Sequence, residues 1–125
     1  MMNPKLKADW VAALRSGKYK QARGALVRAR FESGKRTSIY DGGYCCLGVL
    51  CKVKGMEDPD IENLSDSTEG LGYHVQTFDD GRGEVHGEHD GIDYDTRAVL
   101  AAMNDGGGQP SKTFAELADY IEENL

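Results

Sequence analysis

Three runs of apolar residues with helical spacing, set toward the two ends of the chain, constrain the fold more than any other feature. Leu6, Trp10, Val11 and Leu14 recur at offsets 0, 4, 5 and 8. Cys46, Val49, Leu50 and Val53 fall at 0, 3, 4 and 7, and Phe114, Leu117, Ile121 and Leu125 at 0, 3, 7 and 11. Each run marks one side of an α-helix, and the core is expected where the three stripes meet. The flanking residues agree with this. Asn3-Pro4 supplies a capping oxygen and a residue suited to the first helical position, and Gly17 suits a left-handed stop. Thr113-Phe114-Ala115-Glu116 is a capping box at the start of the last helix. The segment Tyr44 to Lys54 reads as a short buried helix closed by Gly55. Gly48 inside it costs up to about 1 kcal/mol relative to Ala, a cost that close backbone packing against another element would offset.

The rest of the chain has a different texture. Leu26 to Phe31 alternates weakly, Thr37 to Tyr40 is rich in strand formers, and Glu32-Ser33-Gly34-Lys35 lies between them as a turn, so a β-hairpin is expected. Met56 to Asp95 is acidic and punctuated by glycine. Within it, Tyr73 to Phe78 and Glu84 to His86 have the composition of a second strand pair, and Met56 to Gly72 and Gly87 to Asp93 read as loops. Thr96 to Met103 is helical again. The expectation is one α+β domain over residues 1–125, with about four helices and one or two antiparallel hairpins. Its parts are a basic helix and hairpin region (1–55), an acidic loop and hairpin region (56–95) and C-terminal helices (96–125). A chain of 125 residues suits one domain and buries roughly two-thirds of its unfolded surface. No run approaches the ~20 apolar residues of a membrane span. Met1 to Lys7 leads into an amphipathic segment rather than the apolar block of an export signal.

Charge divides the chain sharply. Residues 1–55 hold twelve Lys or Arg and three acids, a formal +9, and residues 56–125 hold three and eighteen, a formal −15. Such asymmetry points to charged partners or to mutual neutralisation of the halves. Lys18, Lys20, Arg23, Arg28 and Arg30, with Tyr19 and Gln21 interleaved, form the candidate site for an anionic ligand, and Tyr44 is a further stacking face. Arginine grips phosphate with paired donors and tyrosine stacks on a base. The competing reading is a solvated basic surface that answers the acidic half.

Three other constellations carry less. Cys45, Cys46 and Cys51 are odd in number and too closely spaced for a disulfide framework, which suggests reduced thiols in a cytoplasm. A thiol at a helix N-terminus has its pKa lowered by the dipole, so Cys45 or Cys46 is the one enzyme alternative; Cys46 also reads as a small core hydrophobe on the Val49-Leu50-Val53 stripe. His86-Gly-Glu-His89-Asp90, with Asp93 and Asp95, lacks a second defined ligand pair, and no metal or cofactor is expected. Gly106 to Thr113 has Ser111 and Pro110 where a phosphate loop needs glycine and a backbone donor, so it reads as a linker and a cap.

The runs Leu14-Arg-Ser-Gly-Lys-Tyr-Lys-Gln21, Arg23-Gly-Ala-Leu26 and Tyr44-Cys-Cys-Leu-Gly-Val-Leu-Cys51 resemble a family of small, mostly uncharacterised proteins of tailed bacteriophages and prophages. Met103-Asn-Asp105 and Phe114-Ala-Glu-Leu-Ala-Asp-Tyr-Ile-Glu-Glu123 extend the resemblance. It implies a phage accessory protein acting in the host bacterial cytoplasm and carries over no catalytic residues. By analogy with other small phage proteins, it implies a non-catalytic binding role that blunts host defence by sequestering a nucleotide-type immune signal. Burying such a ligand needs a pocket, which a chain of 125 residues can build between subunits, so a homo-oligomer is expected. The alternative partner is a host protein, inhibited through the acidic stretch Glu57 to Asp95 in imitation of a nucleic acid.

Overall fold

The structure, a computed structural model, describes residues 4–23, 26–66, 94–106 and 110–125. Five helices dominate them: α1 (Pro4–Arg15), α2 (Cys46–Val53), α3 (Asp58–Asp66), α4 (Tyr94–Asp105) and α5 (Phe114–Asn124). The α+β class expected from sequence is therefore corrected, because the molecule is mostly helical. Pairing between β1 (Phe31–Glu32) and β2 (Lys35–Arg36) stops after Phe31↔Arg36 and Glu32↔Lys35. Ser33 and Gly34 turn the chain in left-handed geometry. Arg30 N–H still donates to the Ile39 carbonyl at 2.6 Å and Thr37 N–H to the Arg30 carbonyl at 2.9 Å. Leu26 and Arg28, however, bond to residues 42–45, so the pairing does not reach the expected Leu26–Tyr40 extent and no larger sheet forms among the described residues. The second strand pair expected between Tyr73 and His86 lies outside the described residues.

The three stripes meet as their spacing requires. Leu6, Trp10, Val11 and Leu14 are the buried face of α1, and Phe114, Leu117, Ala118 and Ile121 that of α5. These two helices lie against each other, α1 also packs on α2, and α2 touches α3 and α4. Every residue from Cys46 to Cys51 is buried. A helix apolar all round belongs in the middle of a core, and α2 occupies that place. Trp10 shows why a large aromatic with one polar atom is tolerated there: its Nε1–H donates to the Cys46 carbonyl oxygen at 2.9 Å, so burial leaves no unsatisfied donor. At α5 the capping box is complete. Glu116 N–H donates to Thr113 Oγ1 at 3.2 Å, and Thr113 N–H donates to Glu116 Oε1 at 3.0 Å.

Two features were not foreseen. Helix α3 occupies part of Met56 to Gly72, which reads as a loop in sequence. Asp58-Pro59-Asp60 is a serviceable helix start, with acids at the positive end of the dipole and a proline in the first turn, and burial of Ile61 anchors the helix. The other is Asn104, fully buried near the end of α4. Its side-chain oxygen accepts from Gln21 Nε2 (3.0 Å) and Cys46 N–H (3.2 Å); its amide donates to the Ala22 carbonyl (2.9 Å) and Asp105 Oδ1 (2.7 Å). One amide thereby ties three distant parts of the chain together with its hydrogen-bonding groups satisfied.

Candidate functional site

The site grows from the way residues 42–45 are held. Tyr44 N–H donates to the Lys20 carbonyl and the Tyr44 carbonyl accepts from Ala22 N–H, both at 2.8 Å. On the other side, Arg28 N–H donates to the Gly43 carbonyl at 3.0 Å and Gly42 N–H to the Arg28 carbonyl at 3.1 Å. This segment thus lies between two extended stretches, each reaching it through a single bridge. Gly43 permits the close approach: its φ is +99°, and a Cβ there would lie 2.6 Å from the Lys20 carbonyl oxygen. The residues that would have completed a hairpin are instead used to clamp Tyr44.

Around this clamp lies an open pocket of about 490 Å³ lined by Lys18, Tyr19, Lys20, Tyr40, Asp41, Gly43, Tyr44 and Lys52. That size falls within the range of small-molecule sites. The Tyr19 and Tyr44 rings meet edge to face, centroids 5.5 Å apart and planes at 88°. The Lys18 ammonium sits 5.6 Å from the Tyr19 ring centroid, within cation–π range. Tyr44 donates its hydroxyl proton to Asp58 Oδ1 at 2.7 Å, and Lys52 Nζ lies 3.1 Å from the same oxygen. Tyr40 donates to Glu62 Oε1 at 3.0 Å. Burial, and then donation to the Asp58 carboxylate, raise the Tyr44 hydroxyl well above the usual tyrosine range, so it stays protonated. Asp41 is shifted down, first by its hydrogen bond from Arg30, with a smaller contribution from the charge of Lys20.

Of the eight candidate residues, Lys18, Tyr19, Lys20 and Tyr44 line the pocket and the other four do not. Gln21 bridges Asn104 Oδ1 and the Lys112 carbonyl, at 3.0 and 2.7 Å, in a structural role. Arg28 folds back onto the Arg23 carbonyl, Arg23 itself is exposed, and Arg30 pairs with Asp41 and Glu32. The five-cation cluster therefore splits: the Arg28 and Arg30 guanidinium groups find acceptors nearby, Arg23 is exposed off the lining, and Lys18 and Lys20 form no ion pair among the described residues. Tyr40, Asp41 and Lys52 went unremarked in sequence. A signal existed for Lys52, which breaks an otherwise apolar helix.

The thiols move the opposite way from the helix-dipole argument. Cys45 caps α2, its sulfur accepting from Gly48 N–H at 3.4 Å, yet burial pushes its thiol up to about 12. Burial also raises Cys46 well above its ordinary value. Desolvation outweighs the dipole because all three cysteines lie in the core. Among the described residues no group of three His, Cys, Asp or Glu could hold a metal ion. His74, His86 and His89 lie outside those residues, as does most of the acidic stretch Glu57 to Asp95.

Residues 2–80 match the family model of a domain of unknown function, DUF8296. The chain belongs to the DUF8296 family. No curated protein and no solved structure matches it. All eight pocket-lining residues fall within the DUF8296 span, whereas α4 and α5 follow it.

Proposed function

We propose that this DUF8296 chain is a non-catalytic binding protein that takes an anionic, nucleotide-type small molecule in the tyrosine–lysine pocket. One observation carries the reading. Lys18 and Lys20, neither in a salt bridge among the described residues, border a cavity of ligand size beside the Tyr19 and Tyr44 rings. Ammonium groups without a carboxylate partner favour a phosphate, and aromatic rings favour a planar base. With the phage resemblance, the proposal extends to sequestration of a nucleotide-type immune signal in the host cytoplasm, by a homo-oligomer whose second copy covers the open side of the pocket. Among the described residues no helix is long and apolar enough to cross a membrane.

Calorimetric titration of cyclic and linear nucleotides at low and high salt tests the reading. Binding should weaken with salt and fall at least tenfold in a Lys18→Ala, Lys20→Ala double variant. Absence of heat for every phosphate ligand, or affinity indifferent to the double substitution, would remove it.

A further inference from the structure

We propose that Asp41 selects the charge of the ligand, so that the pocket takes a nucleotide with one dianionic phosphate group and discriminates against the triphosphate of the same base. This rests on the binding reading above and narrows it to a ligand class.

The argument starts from which charges on the lining are already answered. Lys52 is held 3.1 Å from Asp58 Oδ1, so its positive charge is compensated. Lys18 and Lys20 make no ion pair among the described residues; Lys18 faces the Tyr19 ring, and Lys20 acts on Asp41 only through its field. Two uncompensated ammonium groups match one phosphate monoester, which carries about −1.5 to −2 near neutral pH. Two of the three lining tyrosines, Tyr40 and Tyr44, add no charge-binding donors. A phenol has a single O–H, and those of Tyr44 and Tyr40 are given to Asp58 and Glu62. Their contribution to a ligand is apolar ring surface.

Asp41 shares this lining, with its side chain 44% exposed. It is ionised at neutral pH, since the Arg30 guanidinium favours its charged form. Arg30 itself is not on the lining and is already engaged by Asp41 and Glu32. One cation thus answers two carboxylates, and phosphates beyond the first would approach a group that keeps a net negative charge. Like charges a few ångströms apart at a hydrated surface repel enough to change affinity severalfold. Electrostatic rejection of this kind is how a site gains selectivity without a new attractive contact.

The test is calorimetry with adenosine and guanosine mono- and triphosphates, without divalent metal, on the full chain and two variants. Wild type should bind the better monophosphate at least fivefold more tightly than its triphosphate. Asp41→Asn should shrink that ratio at least fivefold, mainly by gaining affinity for the triphosphate. Arg30→Gln, which strips the carboxylate of its partner, should widen it. Equal or tighter triphosphate binding by wild type would overturn the role of Asp41 while leaving the pocket's binding function intact, as would ratios unmoved by both variants. Failure of every nucleotide to bind wild type would overturn the binding function and this selectivity together.

Discussion

Gly48→Ala isolates the contact on which the site is built. On helix propensity alone it should stabilise α2 by up to about 1 kcal/mol, and Gly48 does not occupy the left-handed region that would penalise a side chain. The tertiary structure reverses the sign. A Cβ at position 48 would lie 1.9 Å from the Leu26 carbonyl oxygen and 2.9 Å from its carbonyl carbon, which are rigid backbone atoms. The stretch from Leu26 to Arg28 must retreat, and with it goes the hydrogen bond from Cys45 N–H to Leu26 O at 3.3 Å. Overpacking of this kind costs about 1–3 kcal/mol and a lost buried hydrogen bond about 1 kcal/mol. After the propensity gain, the net is a destabilisation of about 1–3 kcal/mol. Urea unfolding followed by Trp10 fluorescence should show a lower midpoint with an unchanged slope. Since the displaced stretch also grips Tyr44, nucleotide affinity should fall too. A variant as stable as wild type, or more so, would refute the claim that α2 touches the backbone at Leu26.

Two further predictions come from burial. Cys45, Cys46 and Cys51 should react with a thiol reagent at neutral pH only as fast as the protein opens, and all three should label at once in denaturant; rapid labelling of the native protein would contradict the core placement. Tyr44 should resist ionisation in an alkaline spectrophotometric titration. Because its folded value lies above the unfolded one, the stability it lends is complete below about pH 10 and is lost as the pH climbs further. Tyr44→Phe should flatten that alkaline decline, and an unchanged decline would show that the buried Tyr44 hydroxyl is not its source.

How much of this was legible beforehand depended on the range of the forces involved. α1, α2 and α5 were readable because apolar spacing, glycine stops and a Thr-x-x-Glu box act within a few residues of one another. α3 was obscured because its acids resembled those of the surrounding acidic stretch, although Asp58-Pro59-Asp60 carried a start signal. The hairpin failed for a different reason. Leu26 to Phe31 and Thr37 to Tyr40 have extended character, but composition does not choose a partner. Leu26 and Arg28 bond to the 42–45 segment instead.

The same boundary runs through the candidate site. The residues alone marked Lys18, Tyr19, Lys20 and Tyr44 as suited to an anion and a base, and they established which helices would supply the core. They left undecided which cations would remain unanswered. That depended on Arg30 meeting Asp41, Arg28 reaching the Arg23 carbonyl, and Lys52 coming to Asp58 across the start of α3. Charge is a property of each side chain and can be counted along a chain. Compensation is a property of distance, and even between residues five to eleven apart in sequence that distance is set only when the chain has folded.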